Sequence, residues 1–128
     1  MTKTLIVYED GKPDLERSAM LIASELSAGT HAVQLRAASA VSIPEILAAR
    51  LFFIGAESAE KPSFAEMSRV LTGINLAGRT AAFFGPSKAA VAALRAMTAD
   101  SDIKAPGPDL VNPRPEPELV SAWLHSVL

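Results

Sequence analysis

The apolar and polar positions of this chain fall into short unbroken apolar runs separated by stretches of helical spacing. Leu5-Ile6-Val7, inside Thr4–Tyr8, has no polar break and predicts a strand covered on both faces. After it comes the turn Glu9-Asp10-Gly11-Lys12-Pro13-Asp14. Pro13 suits a first helical turn and Asp14 complements the dipole there, so a helix is expected to follow. Leu15, Ala19, Met20, Ile22, Ala23 and Leu26 recur at helical spacing, and Gly29 is the expected stop. His31 to Leu35 alternates apolar with polar, as an edge strand half open to water would.

Arg36 to Ser42 reads as a loop and Ile43 to Leu47 as one short helical turn. Leu51-Phe52-Phe53-Ile54, closed by Gly55, is the next buried strand. Ala56 to Ser63 reads as a loop. Phe64, Met67, Val70, Leu71 and Ile74 then form a helix face. Thr80 to Phe84 is a third buried run, ending at Gly85-Pro86-Ser87, and Ala89 to Ala99 predicts a helix with Ser87 as N-cap. Ser101 to Pro108 reads as a loop and Asp109 to Asn112 as a short last strand. The last helix is introduced by Pro115 and Pro117, with Leu119, Val120, Trp123, Leu124 and Val127 on its inner face. Strands alternating with helices in this way imply one parallel sheet with helices on both sides. No repeat or long linker divides the chain, so residues 1–128 are expected to form one domain.

Composition narrows the chemistry. With 128 residues, 49% hydrophobic and 20% charged, the chain has the balance of a globular domain with a real core. There is no cysteine, which removes disulfides, thiolate metal sites and thiol catalysis. A net charge of −2 offers no basic footprint for nucleic acid or acidic membranes. No apolar run approaches the ~18–20 residues that span a bilayer. Lys3 is followed at once by a strand-like run and then by acids, unlike a secretory leader, and a cytoplasmic location is expected.

The order of elements and several phrases resemble the flavodoxin-like family. Lys3-Thr4-Leu5-Ile6-Val7-Tyr8 is similar to its opening strand, and Leu35 to Ser39 through Ile46-Leu47 to its second strand and the segment beyond. Leu51 to Gly55 is similar to its third strand, and Leu76-Ala77-Gly78-Arg79 with Thr80 to Gly85 to the approach to strand four. The resemblance implies a three-layer α/β/α fold with a five-stranded parallel sheet in the order 2-1-3-4-5. In the typical member it implies an FMN used for electron transfer.

The departure lies in the turn after the first strand. There the family carries a Ser/Thr-x-Thr-Gly-x-Thr pattern whose hydroxyls and N–H groups cradle the FMN phosphate. This chain aligns Glu9 to Leu15 with that loop, without Ser or Thr and with Pro13 removing a donor. Two unit charges ~4 Å apart repel by roughly 4 kcal/mol at an effective dielectric of ~20, so the acids disfavour a phosphate. The segments Ala56 to Lys61 and Pro86 to Ala90 also lack the Tyr or Trp that would stack on a flavin ring.

The leading expectation is thus a flavodoxin-like protein without conventional FMN binding, acting through an unknown protein partner or a small ligand. The alternative is an atypical FMN electron carrier using Gly11 and Lys12. Any pocket is expected among Glu9, Asp10, Gly11, Lys12, Glu57, Ser58, Gly85, Ser87 and Lys88, at the carboxyl edge of the sheet. No catalytic constellation is present, and a homodimer is a further expectation. A Mg²⁺ site of Glu9, Asp10 and Glu57, in the manner of a signalling receiver domain, competes with the plainer expectation that these acids lie on a solvated rim. The receiver reading lacks an Asp closing strand three, where Ile54-Gly55 stands, and a Lys where Asn112 stands. Neither His31 nor His125 has a serine and acid partner in a recognisable motif.

Overall fold

Each apolar run becomes a strand, and its alternate side chains go to opposite faces of one sheet. The computed structural model describes residues 2–57, 62, 65, 68, 69, 71 and 74–128, with the backbone alone at residue 100. The strands are β1 (Thr2–Tyr8), β2 (His31–Ala37), β3 (Leu51–Gly55), β4 (Thr80–Gly85) and β5 (Leu110–Val111). All neighbours pair in parallel, in the order β2-β1-β3-β4-β5. The expected topology is therefore observed.

Leu5, Val7, Phe52, Ile54, Ala81 and Phe83 point to one face. They pack on Ile46 of α2 (Ile43–Ala48) and on Val91, Leu94 and Met97 of α3 (Lys88–Thr98). Ile6, Phe53, Ala82 and Phe84 point the other way. They meet Leu15, Ala19, Ile22 and Leu26 of α1 (Pro13–Ser27) and Val120, Trp123 and Leu124 of α4 (Pro117–Val127). Trp123 sits edge-on to Phe53 and Phe84, with centroids 5.5 and 6.5 Å away, and its indole N–H donates to the Pro108 carbonyl at 2.7 Å. Its expected core role is met.

Local chemistry fixes the helix starts. Ser42 and Glu45 form a reciprocal capping box at α2, and Ser87 Oγ accepts the Ala90 N–H at 3.2 Å at α3. The loop before β5 is clamped by Arg95, whose guanidinium reaches both Asp109 oxygens and the carbonyls of Ala105 and Gly107.

Several sequence expectations are corrected. Met20 is 55% and Leu119 46% exposed, so neither belongs to the inner helix face assigned to it. Helix α1 ends with Ala28 in right-handed geometry, not on a left-handed Gly29. β2 runs on through Arg36 and Ala37, and β5 shrinks to two residues. Leu71 is helical and fully buried as expected, whereas Phe64, Met67 and Val70 lie outside the described residues.

Candidate functional site

In the order 2-1-3 the strand order reverses at β1, with β2 added on one side and β3 on the other, and open α/β sheets bind ligands at the carboxyl end of that crevice. The residue that spans it here is Glu9. Its N–H donates to the Gly55 carbonyl at 3.0 Å, which extends the β1–β3 ladder by one step. Its side chain is fully buried, and Oε1 accepts the Glu57 N–H at 2.9 Å. The expectation of a solvated acid rim fails at this residue. Tyr8 has carried the chain to the edge of the sheet, and Glu9 turns inward to satisfy a donor of the loop beyond β3.

The rest of the turn is equally committed. Asp10 accepts both the N–H (3.0 Å) and the hydroxyl of Ser39, tying the turn to the segment beyond β2. Gly11 has φ +73°, a left-handed conformation that costs glycine little. Lys12 is the N-cap of α1 without any side-chain cap, and its Nζ lies 3.6 Å from Glu57 Oε1. Pro13 follows without an N–H, and the first bond of the helix runs from the Glu16 N–H to the Lys12 carbonyl at 2.9 Å. Burial first, then the carboxylates of Glu16 and Asp10, hold the Tyr8 phenol above its ordinary pKa.

On the far side of the crevice, β4 ends at Gly85. A Cβ there would sit 2.7 Å from the Ala56 carbonyl oxygen, so the close approach of the two strand ends requires glycine. Ser87 is spent on capping α3, and Lys88 starts that helix. Ser58 lies outside the described residues. Of the expected positions, the structure thus gathers Glu9 and Lys12 around Glu57, holds Asp10 on Ser39, and sets Ser87 and Lys88 in a helix start.

The opening at this edge is a cleft of about 50 Å³ between the start of α1 and the ends of β4 and β5. Glu57 and Gly85 line it as expected, with Pro86 inside the expected stretch Gly85 to Lys88, but so do Asp14, Ser18 and Asn112, which sequence reasoning missed. Ser18 carried a signal: it is a polar residue on the buried stripe of Leu15, Ala19 and Ile22. Asn112 carried another, as the polar residue that closes the last strand. Its Oδ1 accepts the Arg114 N–H at 3.2 Å, and its buried Nδ2 has no hydrogen-bond partner among the described residues. A wider groove of about 330 Å³ lies against the amino-terminal halves of β1 and β2, among Lys3, Gln34 and Glu45. There the Glu45 carboxylate is already engaged by Ser42 and Arg36. Among the described residues no cluster of three or more His, Asp or Glu side chains is placed to hold a metal ion. Nor is any helix among them long and apolar enough to cross a membrane.

Sheet order and helix placement define a flavodoxin-like α/β fold. The fold is shared with flavodoxin 2 of Bacillus cereus, solved in its oxidised form. That chain is 22% identical, with a TM-score of 0.85 over 98% of this chain and 97% of that one. It is shared also with a flavodoxin from the domain Archaea, 17% identical, with a TM-score of 0.82 over 97% and 92% of the two chains. No protein-family model matches the sequence, and comparison with curated proteins finds no match.

Proposed function

We propose that this chain is a flavodoxin-fold protein that works without the conventional FMN phosphate site, through a protein partner or a small ligand at the carboxyl edge of its sheet. The observation that carries the reading is the buried Glu9 carboxylate, hydrogen-bonded across the β1–β3 crevice to the Glu57 N–H at 2.9 Å. A phosphate in this turn would meet Glu9 and Asp10 where a cradle needs donors, and Pro13 supplies none. The Asp10 carboxylate is spent on Ser39, so withdrawing it would release two bonds. The cleft of about 50 Å³ is also far below the ~300–1,000 Å³ typical of sites for ligands of cofactor size. These residues do not fit the phosphate end of FMN.

The second reading is an atypical FMN electron carrier. It draws on the left-handed Gly11 and on the start of α1, which no side chain caps. Titrating FMN with the purified protein and following flavin fluorescence separates the two. Unchanged fluorescence supports the first reading, and saturable quenching supports the second.

A further inference from the structure

We propose that β2 is a self-pairing edge, through which two copies of this chain join antiparallel into one continuous sheet. The inference goes beyond the site at the carboxyl edge and does not depend on it. The Thr2 N–H donates to the Thr30 carbonyl at 3.1 Å, so Thr30 turns its backbone groups toward β1. Direction alternates along a strand, which sends the N–H and C=O groups of His31, Val33, Leu35 and Ala37 outward. Among the described residues only the Arg36 guanidinium reaches these groups, at the Leu35 carbonyl (2.9 Å), and a carbonyl keeps a second lone pair for an incoming N–H. Such a row is a template for another strand, and edges are ordinarily blunted by Lys, Pro, a bulge or brevity. β2 has none of these. It runs for seven residues in unbroken register with β1, from Thr2 beside His31 to Tyr8 beside Ala37. Its one formally charged residue, Arg36, is folded back onto Glu45 at 2.8 Å. The opposite edge is blunted, since β5 has two residues and Pro113 follows it.

The occupant that fits this edge is a second copy, because the strand is complementary to itself about a twofold axis at Gln34. In that register the outward groups of Val33 pair with those of Leu35 in the other copy, and those of His31 with Ala37. Val33 and Leu35, half-buried on the face packed against α1, then stand opposite one another as apolar cross-strand pairs. On the other face exposed Gln34 meets its own copy, and its carboxamide can donate and accept at once. Exposed Ala32 meets Arg36, so no like charges are directly opposed. The α1 helix adds to the strip. Ser18 and Met20 lie about 100° to either side of Ala19. Ser18 lines the cleft by β4 and β5, so Met20, left 55% exposed, is on the β2 flank. The net charge of −2 sets little repulsion between two copies.

The test is sedimentation velocity of the full chain across the micromolar range, with amide hydrogen exchange read at the same concentrations. A monomer–dimer equilibrium is expected, and the outward Val33 and Leu35 N–H groups should gain protection as the dimer fills. The Ala32 and Gln34 N–H groups, already bonded to β1, should change little. Gln34→Lys sets two ammonium groups opposite each other on the axis, at a position exposed in the monomer. It should keep the parent Tm and weaken dimerisation at least tenfold. Gln34→Glu should do the same, and an equimolar mixture of the two variants should recover the dimer. A chain that stays monomeric throughout overturns the proposal. So does a dimer that Gln34→Lys leaves intact, which is held by another surface, or a mixture of the two variants that stays monomeric.

Discussion

Replacing Glu9 with alanine tests whether the acid after β1 is a structural bridge. The side chain is fully buried and its Oε1 accepts the Glu57 N–H at 2.9 Å, so Glu9→Ala strands that donor in the crevice between β1 and β3. Orphaning a buried donor costs about 1–3 kcal/mol. The emptied side-chain volume adds roughly 1 kcal/mol, taken from ~0.8 kcal/mol per buried methylene. The sum, about 2–4 kcal/mol, lowers Tm by roughly 8–16 °C at ~4 °C per kcal/mol for a chain of this size. Circular dichroism melts of parent, Glu9→Ala and Glu57→Ala provide the assay. Glu57→Ala keeps the N–H and loses only a half-exposed pair with Lys12 at 3.6 Å, worth at most about 1 kcal/mol. It should melt close to the parent. A Glu9→Ala variant that melts no lower than Glu57→Ala would refute the bridge.

Three further outcomes follow from the packing and the titrating groups. Gly55→Ala places a methyl 2.2 Å from the Phe84 ring and should destabilise by about 1–3 kcal/mol, measured by urea unfolding. The raised pKa of Tyr8 means that its stabilising contribution is complete below pH 10.0, the ordinary value, and is lost as pH rises through the folded-state value. Tyr8→Phe should therefore flatten the alkaline limb of a Tm-against-pH curve. The Ser42 backbone N–H, then its hydroxyl and Arg36, hold Glu45 below its ordinary 4.5 and outweigh desolvation. Its contribution is present above that value and lost as pH falls through the lowered one, so Glu45→Gln should flatten the acid limb.

The sheet was legible because β1, β3 and β4 are unbroken apolar runs, and period-two alternation sorts their side chains onto two faces. Ser87 and Trp123 were legible for local reasons, one a cap and the other the largest ring on an inward helix face. Met20 misled because it lies five residues past Leu15, about 140° around the helix from it, and so off the stripe of Leu15, Ala19, Ile22 and Leu26. The candidate site was legible only as a place. Nothing adjacent to Glu9 in sequence shows that it turns inward, since its partner is the backbone of Glu57, 48 residues on. Asp10 likewise depends on Ser39, 29 residues away. Such partners are set by strand order and by where each strand stops. Hydropathy carries no trace of them.

The most direct measurement is a pair of thermal shifts, one with FMN and one with riboflavin, its analogue without the phosphate. A ligand that binds only the folded state at a hundredfold excess over Kd adds about 2.7 kcal/mol, easily read as a rise in Tm. If Glu9 and Asp10 close the turn to a phosphate, FMN should raise Tm no more than riboflavin does. A clear rise with FMN and none with riboflavin would contradict the account.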